Sequence, residues 1–321
     1  MKSKLLIMHK PLKIAFAGTP LIASTVLQSL IDANFPITLV LTQPDRQSGR
    51  GLKITESPVK TLAKQHQIPV LQPQSFKNDP ELLARITESK PDILVVIAYG
   101  MILPQSLLTI PPLGAINIHV SLLPKLRGAA PIQRAIINGD TKTGVTIMQM
   151  DDGLDTGAIL IQEAIPILSI DNSQTLAEKL AILGAKLVIT YLTNYSDFKP
   201  QIQNSENATY AHKINKIEAL INWNESAIII ARKIKAFNPN PGAFSHLDSQ
   251  IVKIWDATVI IDNSSDAPYG KIISYNEDGI HVAAGDNTIL IIKTLQIAGK
   301  KMQAASQFAK CHRDILNLQF S

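Results

Sequence analysis

A mostly parallel, Rossmann-like α/β sheet with helices on both faces, followed by a smaller OB-like β-barrel, is the fold class this 321-residue sequence predicts. Three observations predict it. Over the first two-thirds of the chain, short apolar runs alternate with segments of helical spacing, as repeated βαβ units require. Around residues 197–207 a polar stretch containing Pro200 has no periodicity, as expected of a surface linker. Beyond it, short strand-like runs recur about every ten residues with turn residues between them, the rhythm of a small barrel. The expected bounds are 1–196 for the sheet domain, 197–217 for the linker and 218–321 for the barrel.

Element by element, Lys13-Ile-Ala-Phe-Ala17 is an apolar strand closed by Gly18-Thr-Pro20, and residues 21–30 have helical spacing. Residues 37–42 form the next strand. Ser57-Pro58 supplies an N-cap and a first-turn proline for a helix through Gln65, because proline's missing N–H costs nothing there. Residues 68–71 are strand-like, 80–88 helical, and 93–98 a fully apolar strand. Residues 115–119, 145–150 and 159–167 give three more strands, with a helix over 131–137. The segment 175–192 reads as a longer amphipathic helix with Leu176, Leu180, Leu183, Leu187 and Thr190 on one side. After a helix at 226–236, strands are expected at 251–254, 271–275, 280–283 and 288–293.

Composition excludes several classes. A hydrophobic content of 45% with 18% charged residues is that of an ordinary globular chain rather than a disordered one. Cys311 is the only cysteine, so neither an internal disulfide nor a cysteine-cluster zinc site is available. The first ten residues hold too short an apolar run for a signal core, and no stretch reaches the ~18 apolar residues of a membrane span. A soluble, cytoplasmic protein is expected. The net charge of +5 suits a polyanionic partner. It is not concentrated at one end: residues 1–200 carry 19 basic and 15 acidic groups, residues 201–321 carry 12 and 11.

Asn117 and His119 stand at i and i+2 on an expected buried strand, so both face one side of it. Two polar groups there are either satisfied by neighbours or line a site. Ser121-Leu-Leu-Pro124 follows at the strand's carboxyl end, where open α/β sheets place their chemistry. Asp151, Asp152 and Asp155 cluster with Gly153 and Gly157. Metal ligation is one reading of such carboxylates, but no EF-hand ligand series accompanies them, and no metal is expected. Asp151 or Asp152 would shape a turn, whereas Asp155, beside the apolar run 159–161, is placed to orient an imidazole. Neither a dinucleotide fingerprint, a P-loop nor a nucleophile elbow is present. Arg46, Arg50 and Lys53 crowd a glycine-containing loop that suits phosphate, with Lys300-Lys301 and the helix cations Arg232, Lys233 and Lys235 as further candidates. The remaining histidines show no partner pattern.

The chain resembles the methionyl-tRNA formyltransferases nearly end to end. The resemblance runs through Phe16-Ala-Gly-Thr-Pro20, Thr42-Gln-Pro-Asp-Arg46, Gly49-Arg-Gly51, Ser57-Pro-Val-Lys60 and Val96-Ile-Ala-Tyr-Gly100. It continues through Asn117-Ile-His119, Ser121-Leu-Leu-Pro124, Arg127-Gly-Ala-Ala-Pro-Ile-Gln133, Gly144 to Asp151, Gly153-Leu-Asp-Thr-Gly157, Ala236-Phe-Asn-Pro239 and Ala298-Gly-Lys-Lys301. The Asn-x-His and later Asp are shared by folate-dependent formyltransferases at large; the basic loop, the Arg-Gly-Ala-Ala-Pro run and the second domain narrow the family.

The resemblance implies 10-formyltetrahydrofolate as formyl donor and initiator methionyl-tRNA as acceptor, in a monomer. It also implies Asn117, His119 and Asp155 as catalytic residues, with Ser121, Leu122, Leu123 and Pro124 along the folate site. Arg46, Arg50, Lys53, Lys300 and Lys301 would meet the tRNA, Arg50 foremost. Val120 and Leu52 depart from the family's usual residues, and Asp152 is not a fixed one. The rival readings are a formyltransferase for a sugar nucleotide or another amine, and a non-catalytic RNA-binding relative.

Overall fold

The computed structural model describes residues 11–321 except 49, 50, 52, 78, 261–266 and 313. Arg50, Gly49 and Leu52 therefore lie outside the described residues. The chain divides into two compact units: Met1–Ala129, Thr143–Ile165 and Ala177–Ala211 form one, and Ala130–Lys142, Pro166–Leu176 and His212–Ser321 the other.

In chain order the elements begin with β1 (Ile14–Gly18), α1 (Leu21–Asp32), β2 (Ile37–Leu41), β3 (Arg46–Ser48) and β4 (Lys53–Thr55). Then come α2 (Pro58–Gln65), β5 (Val70–Leu71), α3 (Pro80–Glu88), β6 (Ile93–Ile97), α4 (Gln105–Leu108) and β7 (Ala115–His119). α5 (Pro131–Asn138), β8 (Lys142–Gln149), β9 (Ile159–Pro166) and α6 (Ser173–Thr193) follow.

Seven strands form one sheet in the order β5-β2-β1-β6-β7-β8-β9. The five from β5 to β7 pair in parallel, and β8 runs antiparallel to β7. Strand order steps outward from β1 in both directions, so a topological switch point falls between β1 and β6, where the loops at the carboxyl ends part to leave a crevice. β1 and β6 are buried at every position, as strands covered on both faces must be. One face of the sheet carries Ala15, Ala17, Leu94, Val96 and Ala115 against Leu82 and Ile86 of α3 and the rings of Phe76 and Tyr99. Each fully buried leucine or isoleucine contributes roughly 1.5–3 kcal/mol. On the other face Ile118 meets α6 at Gly184, where a Cβ would come within 3.0 Å of the isoleucine.

The α2 expectation is realised: Ser57 accepts a hydrogen bond from the Lys60 N–H at 3.0 Å, and Pro58 opens the helix. Along α6, Leu180, Leu183 and Leu187 are buried together with Val188, but Thr190 is exposed and donates to the Lys186 carbonyl. The basic loop is an antiparallel hairpin, with Arg46 opposite Thr55 and Ser48 opposite Lys53. A short two-stranded ribbon without an apolar face leaves no hydrophobic pattern to read.

The second unit contains α7 (Ala227–Ala236), β10 (Phe244–Leu247), β11 (Gln250–Ile260), β12 (Ile272–Asn276), β13 (Gly279–Ala284), β14 (Thr288–Ile297), β15 (Gln303–Ala304) and α8 (Ala305–Lys310). Its antiparallel sheet runs β10-β11-β14-β13-β12, with β15 on β14. The chain's last residues link the two edges: Phe320 bridges to Leu247 of β10 and Gln319 to Lys271 before β12. Closure of this kind removes the exposed edges that an open sheet presents. Beneath it Trp223 stacks on Phe320 at 5.3 Å and donates to Ser245 Oγ at 2.9 Å.

The sequence-based linker bounds divide differently in space. Gln201 exchanges backbone hydrogen bonds with Ile159, and Arg127 donates to Thr209 while accepting from Ala211, so 201–211 pairs within the first unit. Residues from His212 onward belong to the second, as do 130–142 and 166–176. Among the described residues no helix is long and apolar enough to cross a membrane.

Candidate active site

Asn117 pairs in register with Val96, and its side chain shares a sheet face with that of His119 at the carboxyl end of β7. Asp155, 38 residues further on, comes back to meet them. Its Oδ1 accepts from Asn117 Nδ2 at 3.3 Å, and its Oδ2 accepts the Gly128 N–H at 2.8 Å and lies 3.6 Å from His119 Nδ1. The set anticipated from the sequence is thus gathered around one carboxylate. His119 is buried, and its Nε2 is 2.9 Å from the Leu126 carbonyl oxygen. A carbonyl only accepts, so Nε2 carries the proton and Nδ1 is the nitrogen facing Asp155. The Asn117 amide has two N–H groups; Asp155 takes one, and the other makes no hydrogen bond among the described residues.

The loop after β7 is held from below. The Thr146 hydroxyl on β8 donates to the Ser121 carbonyl at 2.7 Å, and accepts from the Leu123 N–H at 3.2 Å and from Gln162 Nε2 at 2.7 Å. That uses its single donor and both lone pairs. Gln162 also donates to the Leu123 carbonyl at 3.0 Å. Ser121 turns its hydroxyl inward onto the Lys125 carbonyl and Leu123 is buried, leaving Leu122 and Pro124 as the partly exposed side chains of the loop. The Leu123–Pro124 peptide bond is cis.

Asp155 itself sits at φ 53°, in the left-handed region that non-glycine residues seldom enter. Both flanks of its loop are fixed. Asp151 Oδ1 accepts from the Gly153 N–H and the Thr156 hydroxyl, a turn-shaping role, and at Gly157 a Cβ would collide with the Gln149 carbonyl. On the other flank Gln203 donates to the carbonyls of Asp155 and Gly157 and accepts from the buried Arg127 guanidinium. Sequence reasoning passed over Gln203, Thr146 and Gln162, since a lone neutral polar residue carries no spacing signal.

Among the described residues the cations divide into free and engaged. Arg46 and Lys53 are exposed on the hairpin, and Lys300 and Lys301 are exposed at the turn after β14, where Gly299 takes a positive φ. Lys233 instead pairs with Glu225 at 2.6 Å, Lys235 donates to the Ser169 carbonyl, and Arg232 lies over Gly139. At the base of the hairpin Asp45 binds Lys60 at 2.6 Å and Gln72 at 2.7 Å. The hydrogen bond from Lys60 holds the Asp45 carboxyl below the ordinary range, and the same bond raises the Lys60 ammonium. Among the described residues no cluster of three or more His, Cys, Asp or Glu side chains is placed to hold a metal. A surface groove of about 620 Å³ along α1 and α2, lined by Leu21, Gln28, Pro58 and Leu62, includes none of the Asn117–His119–Asp155 set.

This architecture is that of a formyl transferase: residues 12–192 match the formyl transferase domain, and residues 213–313 the formyl transferase C-terminal domain. The chain is 48% identical over 305 residues to the methionyl-tRNA formyltransferase of Nitrosomonas europaea, covering 94% of each. It is 47% identical over 307 residues to that of Coxiella burnetii, covering 95% of this chain and 97% of the relative. The chain belongs to the methionyl-tRNA formyltransferase family. The solved structure of HypX from Aquifex aeolicus in complex with tetrahydrofolic acid shares the fold, with a TM-score of 0.63 at 16% identity. The alignment covers 96% of this chain and 48% of HypX, so the chain spans about half of that protein's length.

Proposed function

We propose that the chain transfers the formyl group of 10-formyltetrahydrofolate to the α-amino group of initiator methionyl-tRNA, as a cytoplasmic monomer. The observation that carries the reading is the Asp155 carboxylate, which binds the Asn117 amide and faces His119 Nδ1 at the carboxyl edge of the sheet.

The chemistry follows from those contacts. The neutral amine attacks the formyl carbon and the carbonyl oxygen becomes an oxyanion. The unshared N–H of Asn117 donates to that oxygen, an interaction typically worth ~10²–10³ in rate. With Nε2–H committed to Leu126, His119 works through Nδ1: it takes the proton shed by the attacking nitrogen and returns one to N10 as tetrahydrofolate leaves. Asp155 stabilises the imidazolium between those transfers. A free α-amine has a pKa of ~7.7–8, and the ester beside it lowers that value, so positioning outweighs base strength.

Leu122 and Pro124 are the partly exposed side chains that would line the folate site, with Ser121 and Leu123 supporting them from within. Arg46 and Lys53 on the hairpin, with Arg50, and Lys300 and Lys301 on the second unit, would meet tRNA phosphates.

The test is to supply 10-formyltetrahydrofolate labelled in the formyl carbon together with charged initiator tRNA, and an amino-sugar nucleotide in a parallel reaction. Label is expected on the methionyl amine alone. Label on the sugar alone, or on neither acceptor, would overturn the reading.

A further inference from the structure

We infer that Gln203, in the segment after α6, is a positioning residue for formyl transfer that acts by holding the backbone of Asp155. The inference rests on the reading that Asp155 serves the catalytic set. Gln203 is 7% exposed and its amide is fully used. Its Nε2 donates to the Asp155 carbonyl at 2.9 Å and to the Gly157 carbonyl at 2.7 Å. Its Oε1 accepts from Arg127 Nη2 at 2.8 Å and Nε at 3.2 Å.

Those four bonds join the two loops that build the site. One loop carries Asp155; the other runs through Leu126, whose carbonyl fixes His119 Nε2, and Gly128, whose N–H binds Asp155 Oδ2. Arg127 lies between those two residues, 3% exposed, and among the described residues meets no carboxylate. It is itself pinned by backbone hydrogen bonds to Thr209 and Ala211, in the same segment as Gln203. The left-handed backbone of Asp155 must be over-determined by its surroundings to persist, and two hydrogen bonds onto this turn from one buried amide do that. A glutamine meets both demands because it offers two donors and an acceptor from one planar group. Glutamate would keep the Arg127 contact and set a carboxylate against two carbonyl oxygens. Leucine would cut both arms.

Because a displacement of about 1 Å at a reacting group can cost roughly 100-fold in rate, Gln203→Glu and Gln203→Leu are expected to lower the single-turnover rate constant about 10- to 100-fold. The measurement uses the full chain with 10-formyltetrahydrofolate and charged initiator tRNA both saturating, and KM for each should stay within about twofold. A single-turnover rate constant reports the active molecules only, so partial misfolding lowers the amplitude and not the constant. The deciding comparison repeats Gln203→Leu in an Asp155→Ala background. If Gln203 acts through Asp155 the second change adds less than about twofold, whereas a purely structural contribution costs the same in both backgrounds. Equal losses in the two backgrounds, or a Gln203→Glu rate constant within about threefold of wild type, would overturn the inference. An Asp155→Ala variant with wild-type turnover would instead remove the catalytic reading on which it rests.

Discussion

Thr146→Val removes one oxygen from the interior and keeps the shape of the side chain. The lost hydroxyl had served three groups: the Ser121 carbonyl, the Leu123 N–H and Gln162 Nε2. Gln162 keeps its bond to the Leu123 carbonyl, so the groups left without a partner are the Ser121 carbonyl and the Leu123 N–H, on residues that are 0% and 3% exposed. An unpaired buried group costs about 1–3 kcal/mol, which places the destabilisation near 4 kcal/mol for the pair. At roughly 2–4 °C per kcal/mol for a unit of this size, the first transition should fall by about 8–16 °C in differential scanning calorimetry. Because Leu122 and Pro124 ride on the loosened loop, KM for 10-formyltetrahydrofolate should rise more than kcat falls. A midpoint within about 3 °C of wild type with an unchanged folate KM would refute the claim that Thr146 holds this loop.

Asp155→Asn keeps the size of the side chain but replaces an acceptor-only group with one that must turn an N–H₂ toward either the Asn117 amide or the Gly128 N–H; kcat should drop roughly 10²–10³-fold with folate KM little changed, and steady-state rates at saturating substrates decide it. Arg134, bound to Glu218 at 2.7 Å, holds that carboxyl below its ordinary value of 4.5. The folded-state pKa is depressed, so this stability is present above about pH 4.5 and is lost as pH falls through the folded value. Arg134→Met should therefore lower the second unit's stability at pH 7 and flatten its decline as pH falls below about 4.5, as urea titrations at each pH will show. Arg46→Ala and Lys53→Ala should each raise KM for tRNA and make its salt dependence shallower by about one phosphate contact, with folate KM constant.

Much of the fold was legible because burial imposes a period. The unbroken apolar runs of β1 and β6 and the cap at Ser57 are local signals, and each appears where the residues require it. Asn117 and His119 were legible for the same reason: polar groups two apart on a covered strand demand an explanation. The parts of the site that were not legible are tied over distance. Gln203 reaches Arg127 across 76 residues and Thr146 reaches Ser121 across 25, and their roles arise from where the chain returns rather than from any neighbour in sequence. The segment expected as a linker looked unstructured because its order comes from hydrogen bonds to Ile159 and Arg127, which need no apolar periodicity. The identity of the nitrogen on His119 that faces Asp155 is likewise set by the Leu126 carbonyl, and no spacing rule contains it.

In the proposed reaction the unshared N–H of Asn117 stabilises the oxyanion while Asp155 holds the other. The most direct measurement is the single-turnover rate of formyl transfer by Asn117→Ala with 10-formyltetrahydrofolate and charged initiator tRNA both bound. The expected rate constant is lower by about 10²–10³, with both dissociation constants within about threefold of wild type. A rate constant within about threefold of wild type would contradict it.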